Sequence, residues 1–264
     1  MFYDYHMHSN FSGDSKTTME DMVKKSIDLG LKEICFTDHV DYDIKDSIYE
    51  KINYDKYFQN IEFLKNKYNN KISIKKGIEL GLQRHIVDTC KKDVDDYPFD
   101  FVICSIHTID KLELYFNKFF EGKTQLESYQ RYYEELYTVV KTFKDYCVLG
   151  HLDLIKRYGD FDKLLDDSLF YDIIESILKQ VISDGKGIEI NTSCFRYNLP
   201  DLTPSKYILE MYKNLGGEII TTGSDSHNPS QIAYQFDYIY PLLKNLGFKY
   251  ISTFNKMNPE FIKL

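Results

Sequence analysis

Tryptophan is absent from this 264-residue chain, arginine occurs only four times, and no apolar run reaches membrane-spanning length. The last absence excludes a transmembrane helix, which needs about 20 consecutive apolar residues. The N-terminus opens directly on a short apolar stretch carrying Asp and His. No secretory signal peptide is therefore expected, and the chain reads as cytoplasmic. The five cysteines (Cys35, Cys90, Cys104, Cys147, Cys194) are odd in number, scattered, and form no Cys-x-x-Cys pair. They read as reduced, mostly buried thiols rather than a disulfide framework. Positive charge is in deficit, 33 Lys and Arg against 41 Asp and Glu for a net charge of −8. Such a surface repels a phosphate backbone, so neither nucleic acid nor membrane is an expected partner. There is no linker, internal repeat or low-complexity segment, and no Gly-rich phosphate loop follows the first strand-like run. That last lack weakens a doubly wound open sheet.

What remains is ample for one core: 43% of residues are hydrophobic, and a single domain over residues 1–264 is expected. The 23 Tyr and 18 Phe are a compositional habit with no site attached. Apolar strand-like runs alternate with amphipathic stretches along the whole chain. Strands are expected at Met1–Tyr5, Glu33–Thr37, Ile72–Ile78, Phe99–Ile106, Tyr146–Leu149, Gly187–Ile190 and Glu218–Thr221. A capping box at Thr17-Thr18-Met19-Glu20 opens the first helix, which stops near Gly30. Further helices are expected over Tyr54–Tyr68, along Leu126, Tyr129, Tyr133, Leu136 and Val140, and over Ser168–Ser183, with a helix or irregular segment around Arg84–Asp95. Thr203-Pro204 caps the next, and the last begins near Pro229. An Asp- and Tyr-rich loop follows strand two, residues 108–124 form an excursion, and Lys249–Leu264 read as a tail. Seven strand–helix units with near-continuously apolar strands imply a parallel sheet covered on both faces. Closing it gives an α/β fold, a (β/α)7 TIM-like barrel whose chemistry collects at the carboxyl ends of the strands.

Those ends carry His6 and His8, Asp38 and His39, Glu79, His107, His151, Asp225 and His227. Six of the seven histidines lie there; His85 alone lies elsewhere and reads as a surface or structural residue. In a strand, residues two apart point to one side, so His6 and His8 aim two imidazoles into one space. Each of these residues alone fits a core histidine or a cap. Together they offer nine N/O ligands, more than one tetrahedral ion takes, which implies two or three metals. Imidazole with carboxylate, and no cysteine, suits hydrolytic zinc first, with manganese or iron as alternatives. A carboxylate such as Glu79 is able to bridge two such ions, which lower the pKa of a shared water and clamp a phosphoryl group.

His6-x-His8, Thr37-Asp38-His39, Glu79, His107, His151 and Gly223-Ser224-Asp225-Ser226-His227 together resemble the motif set of the PHP (polymerase and histidinol phosphatase) superfamily. Phe99-Asp100-Phe101-Val102, Ser105-Ile106-His107, Gly150-His151-Leu152-Asp153 and Glu189-Ile190-Asn191-Thr192 look like phrases of its stand-alone histidinol-phosphatases. The resemblance implies a distorted (β/α)7 barrel and a trinuclear centre. It assigns His6, His8, Glu79 and Asp225 to a first metal, and Glu79, His107 and His151 to a second. His39 and His227 fall to a third, with Asp14 where many relatives have His. It also implies that Arg157 and Arg196 hold the substrate phosphate. Arg84 is a weaker candidate, and Arg131 reads as solvated.

The activity implied is hydrolysis of L-histidinol phosphate to L-histidinol and phosphate in histidine biosynthesis. The partner is then a small-molecule phosphate ester, with Glu79 bridging and Asp225 or His227 assisting the leaving group. Asp38 is expected to orient His39. Asp153 is expected to contact the cationic end of the substrate, or else to form an ion pair or cap. Competing readings are another phosphate ester or a nucleotide as substrate, a non-catalytic metal scaffold, and an amidohydrolase.

Overall fold

In the computed structural model residues 1–42, 44 and 52–264 are described; the Asp- and Tyr-rich loop after strand two lies largely outside them. The chain begins β1 (Tyr3–Met7), α1 (Met19–Asp28), β2 (Glu33–Phe36), β3 (His39–Asp41), α2 (Tyr54–Tyr68), β4 (Ser73–Gly81), α3 (Val87–Asp96) and β5 (Phe101–Ser105). It continues β6 (Thr108–Ile109), β7 (Leu112–Glu113), α4 (Gln125–Thr142), β8 (Val148–Leu149), α5 (Tyr171–Ser183), β9 (Gly187–Asn191) and α6 (Lys206–Asn214). The last elements are β10 (Ile220–Gly223), α7 (Phe236–Asn245), β11 (Tyr250–Asn255) and β12 (Asn258–Lys263).

Seven strands pair in parallel in the order β1-β2-β4-β5-β8-β9-β10, and β3 adds to β4. The barrel closes between β10 and β1 without a regular ladder. Thr222 Oγ1 donates to the Tyr3 carbonyl (2.7 Å), Asp225 N to His6 O (2.8 Å) and His8 N to Ser226 O (2.8 Å). This is the TIM-like barrel the pattern implied, distorted as the family resemblance implied.

Alternation along the strands separates two environments. Ile34, Phe36, Ile78, Leu80, Val102, Cys104, Ile188 and Ile190 pack in the main core with residues of the helices. A second cluster of Tyr5, Cys35, Phe101, Ile103, Cys147, Val148 and Phe254 forms a separate core. The Phe101 ring lies 4.9 Å from Tyr5 and 5.0 Å from Phe254. Each such ring contributes about 2–3 kcal/mol by leaving water. In the alternation, Gly77, Glu79, Glu189 and Asn191 fall on the face opposite the main core, and there polar groups replace the apolar ones. A register irregularity between Asp4 and Met7 lets Tyr5 join the second cluster while its neighbour His6 joins the polar end. At Gly223 a Cβ would overlap Glu189 Oε1 and crowd His6; the close approach of three strand ends requires glycine there.

Several boundaries differ from the sequence expectation. The cap of α1 is Thr18, which accepts from Asp21 N, one residue later than the expected box. The cap of α6 is Ser205 rather than Thr203, and Thr203 instead bridges to Asn191. Pro229 opens only a short 3-10 turn; α7 starts at Phe236, after left-handed residues at Ala233 and Gln235. The supposed tail is an antiparallel hairpin, β11–β12, that brings Phe254 into the second core cluster.

Candidate metal centre

Each strand end contributes to one polar cluster. Glu79, on β4 and fully buried, sits at its middle. Its Oε2 lies 3.1 Å from His6 Nε2, 3.6 Å from His8 Nε2 and 2.9 Å from His39 Nδ1. Its Oε1 lies 2.8 Å from His151 Nε2 and 3.3 Å from His107 Nε2, and accepts from Ser105 Oγ at 2.7 Å. Asp225 Oδ1 lies 3.3 Å from His8 Nε2, 3.7 Å from His6 Nε2 and 3.8 Å from His227 Nδ1. Asp14 Oδ2 lies 3.0 Å from His227 Nε2 and 3.5 Å from His39 Nε2. The His8 ring stacks against those of His39 and His227, 4.2 Å from each, and those two rings lie 5.9 Å apart. His151 and Asp225 adopt φ of 22° and 54°, a left-handed backbone that L-residues seldom keep without surrounding support.

The rings are oriented from behind. His6 Nδ1 meets Glu189 Oε1 at 2.6 Å, His8 Nδ1 meets Ser12 Oγ at 3.0 Å, and His107 Nδ1 meets Asp41 Oδ1 at 2.9 Å. His227 Nδ1 meets the Asp225 carbonyl at 3.0 Å. These contacts leave Nε2 of each ring turned to the cluster, as outer contacts of metal-ligating imidazoles do. His6 Nε2, His8 Nε2 and Glu79 Oε2 are buried and make no hydrogen bond, a state that costs about 1–3 kcal/mol per atom if nothing else binds them. Among the described residues, four triads each bring three ligand atoms within 4.8 Å of one another: His6/His8/Glu79, His6/His151/Asp225, His39/Glu79/His107 and His8/His39/His227. Imidazole and carboxylate donors so disposed fit more than one divalent cation.

The same crowding sets the charges of the metal-free cluster. Burial lowers the imidazoles of His6 and His39, but facing carboxylates outweigh it: Glu189 and Glu79 at His6, Glu79 and Asp14 at His39. Both stand well above 6.5. His107, buried but facing Asp41 and Glu79, is raised to about 9. Burial raises Glu79 and Asp225, but neighbouring imidazoles hold both well below the carboxylate range. His8, lowered to about 3 by burial and by His227 and His39, opposes the trend. Raised histidines stabilise the fold fully below about pH 6.5, and His107 loses that contribution as pH rises through about 9. Depressed carboxylates stabilise it above about pH 4 and fail as pH falls. Metal-free protein is therefore expected to melt highest near pH 5–6 and at lower temperature toward pH 9. Metal-loaded protein, whose imidazole ligands must be neutral, is expected to gain from about pH 6 to 8. Melting curves with chelator and with added zinc check the opposite slopes.

Above the cluster lies a cavity of about 630 Å³ lined by Asp14, His39, His107, His151, Asp225 and His227, together with Arg157, Arg196, Glu113, Tyr115, Tyr158 and Tyr197. Arg157 donates to Ser193 Oγ (2.5 Å), lies 3.6 Å from Asp225 Oδ2, and has its guanidinium 4.0 Å from the centre of the Tyr197 ring. Arg196 uses two of its N–H groups on the carbonyls of Ser224 and Asp225, both at 2.7 Å, and so braces the Asp225 turn as well as facing the cavity. Arg131 is not simply solvated, because it pairs with Asp110 and Glu135. Arg84 does not line this cavity; its backbone N–H donates to Glu135.

One sequence expectation needs correction, and another is decided between its alternatives. Asp38 does not orient the His39 ring: its carboxylate accepts from Ser9 and Ser12, and Ser12 Oγ meets His8 Nδ1. Of the two readings offered for Asp153, the ion pair holds: the side chain is fully buried, pairs with Lys156 at 2.8 Å and does not line the substrate cavity. Glu189, Asp41, Ser12 and Glu113 went unrecognised as site residues. The available signal for Glu189 was a charge between two isoleucines of a buried strand.

Comparisons with known proteins follow the same line. A family model described as PHP domain matches residues 4–193. The chain is 35% identical to the histidinol-phosphatase of Lactococcus lactis over 96% of this chain and 94% of that one. It is 32% identical to a probable histidinol-phosphatase of Clostridium acetobutylicum over 94% of this chain and 95% of that one. The crystal structure of the Lactococcus lactis histidinol phosphate phosphatase, complexed with zinc, L-histidinol and phosphate, superimposes with a TM-score of 0.90 at 34% identity, covering 98% of both chains. A crystal structure from Listeria monocytogenes, at 20% identity over 89% of this chain and 99% of that one, shares the fold with a TM-score of 0.76.

Proposed function

The chain belongs to the PHP domain family, and from that premise we propose that it is a metal-dependent histidinol-phosphatase, releasing L-histidinol and phosphate from L-histidinol phosphate in histidine biosynthesis. The observation that carries this is similarity along almost the whole chain to a protein whose structure holds zinc, L-histidinol and phosphate. The nine side chains His6, His8, Asp14, His39, Glu79, His107, His151, Asp225 and His227 are the proposed ligands of two or three divalent ions, zinc foremost. Bound, such ions would activate a water and neutralise phosphoryl oxygens.

The protein's own groups supply the rest. Glu79, with one oxygen toward His6, His8 and His39 and the other toward His107 and His151, is the shared carboxylate of the centre. Arg157 and Arg196 present planar guanidinium edges to the phosphate, which phosphoryl transfer uses for positioning and charge stabilisation. Asp225 Oδ2 faces Arg157 rather than the imidazoles. Lying beside the phosphate clamp, it is the group proposed, with His227, to assist departure of the ester oxygen. The aromatic wall of Tyr115, Tyr158 and Tyr197 suits a flat imidazole, and Glu113 supplies negative charge for the ammonium end. A cytoplasmic location belongs to the same proposal. Among the described residues no helix is long and apolar enough to cross a membrane.

Zinc-loaded protein assayed on L-histidinol phosphate and on a panel of sugar phosphates and nucleotides tests the substrate. A preference in kcat/KM of about tenfold or more, worth about 1.4 kcal/mol of differential transition-state binding, is expected for histidinol phosphate. Equal turnover across the panel would remove the specific assignment.

A further inference from the structure

Lys156 has no part in this chemistry, yet its side chain is only 9% exposed. The ammonium lies 2.8 Å from Asp153 Oδ2 and 2.7 Å from the Asp167 carboxylate. Asp153 also accepts from the Ser205 backbone N–H (3.1 Å), and the Ser205 hydroxyl donates to Asp167 at 2.6 Å. Ser205 is the N-cap of α6, and Asp167 opens the 3-10 turn that leads into α5.

Two carboxylates and one ammonium inside the protein carry a heavy desolvation cost, and apolar residues of the same volume often stabilise a fold as well or better. What apolar residues would not supply is directional grip. The triad holds residues 153 and 156 of one short segment that has His151 at its start and Arg157 at its end. That segment is wound tightly, with Leu154 N donating to His151 O (2.8 Å) and Lys156 N to Asp153 O (3.1 Å). Its first residue keeps φ of 22°, which persists only when neighbouring contacts over-determine it.

We propose that the Asp153–Lys156–Asp167 triad, latched by Ser205 to the start of α6, is a positioning device that sets Arg157 against the substrate phosphate. The proposal rests on the reading of Arg157 as a phosphate contact. Ser193, Asp225 and Tyr197 steer the guanidinium itself; the triad fixes the backbone from which it projects. A clamp displaced by even an ångström loses much of its effect.

The test is a double-mutant cycle on the zinc-loaded enzyme, reading the inhibition constant of inorganic phosphate, KM and kcat for histidinol phosphate, and zinc per chain. Asp167→Asn leaves a balanced Lys156–Asp153 pair and an acceptor for Ser205. The combined Asp153→Asn, Lys156→Met, Asp167→Asn variant removes all three charges. Either change is expected to raise the phosphate inhibition constant and KM about tenfold with zinc content unaltered, and to add nothing once Arg157→Ala is present. Should the triple variant fail to fold, Asp167→Asn alone decides. Unchanged phosphate inhibition, or effects that add to those of Arg157→Ala, would overturn the positioning role. If Arg157→Ala by itself leaves phosphate inhibition unchanged, Arg157 is not a phosphate contact, and the proposal falls with that reading.

Discussion

Glu79→Gln is expected to reduce kcat/KM for histidinol phosphate by roughly a thousandfold or more, a loss of about 4 kcal/mol of transition-state stabilisation. The substitution nearly keeps the volume of the side chain, removes its charge and turns one acceptor oxygen into a donor amide. Five imidazoles face this carboxylate within 3.6 Å, three at one oxygen and two at the other. Among the described residues no other acidic group faces all five, since Asp225 Oδ1 reaches His6, His8 and His227, Asp14 reaches His39 and His227, and Asp41 reaches His39 and His107 at their Nδ1 atoms. Metal per chain is expected to fall along with activity, and elemental analysis beside steady-state kinetics reads both. Full activity in a fully metallated Glu79→Gln protein would show that Glu79 is not the bridge.

Arg157→Ala is expected to lower kcat/KM by about a hundredfold to a thousandfold, the range seen when one donor to a developing oxyanion is removed. Arg157→Lys is expected to recover little of it, because an ammonium lacks the planar fork and does not stack on Tyr197 as a guanidinium does. Arg196→Ala mixes two losses, phosphate contact and the support given to the Ser224 and Asp225 carbonyls, so its metal content is expected to drop where that of Arg157→Ala does not. Phosphate inhibition and metal analysis on the three variants separate these effects.

The barrel was legible because each of its strands is an apolar run bounded by turn residues, and the ligand cluster because histidine is rare in this chain except where those runs end. Spacing does not reveal a group that acts through another. Glu189 and Asp41 hold His6 and His107 from behind, and a carboxylate that orients a ring 66 or more residues away leaves no periodic trace. Asp38 was seen as a partner for its neighbour His39, but chain proximity misled, since its carboxylate reaches His8 through Ser12.

The β11–β12 hairpin escaped for a different reason. Its turn is made by Lys256 and Met257 at φ of 49° and 62°, a left-handed pair that glycine or asparagine normally signals, and Pro259 in the second strand argues against a strand at all. The hairpin is held by what it buries: Phe254 packs against Phe101, and its backbone N–H donates to Tyr5 Oη. The late start of α7 is similar in kind. Pro229 is a good first helical residue, yet His227 N donates to Gln231 Oε1 and Ala233 N to Asp4, so tertiary bonds at the closing seam of the barrel take the residues that would have made its first turns.

Titrating chelator-stripped protein with zinc while following release of phosphate from L-histidinol phosphate tests most directly whether these strand ends form a working metal centre. Activity should be absent at the start, rise with each addition, and level off once two to three equivalents per chain are bound. Hydrolysis by the stripped protein at the full rate, or a chain that binds no zinc tightly, would contradict the account.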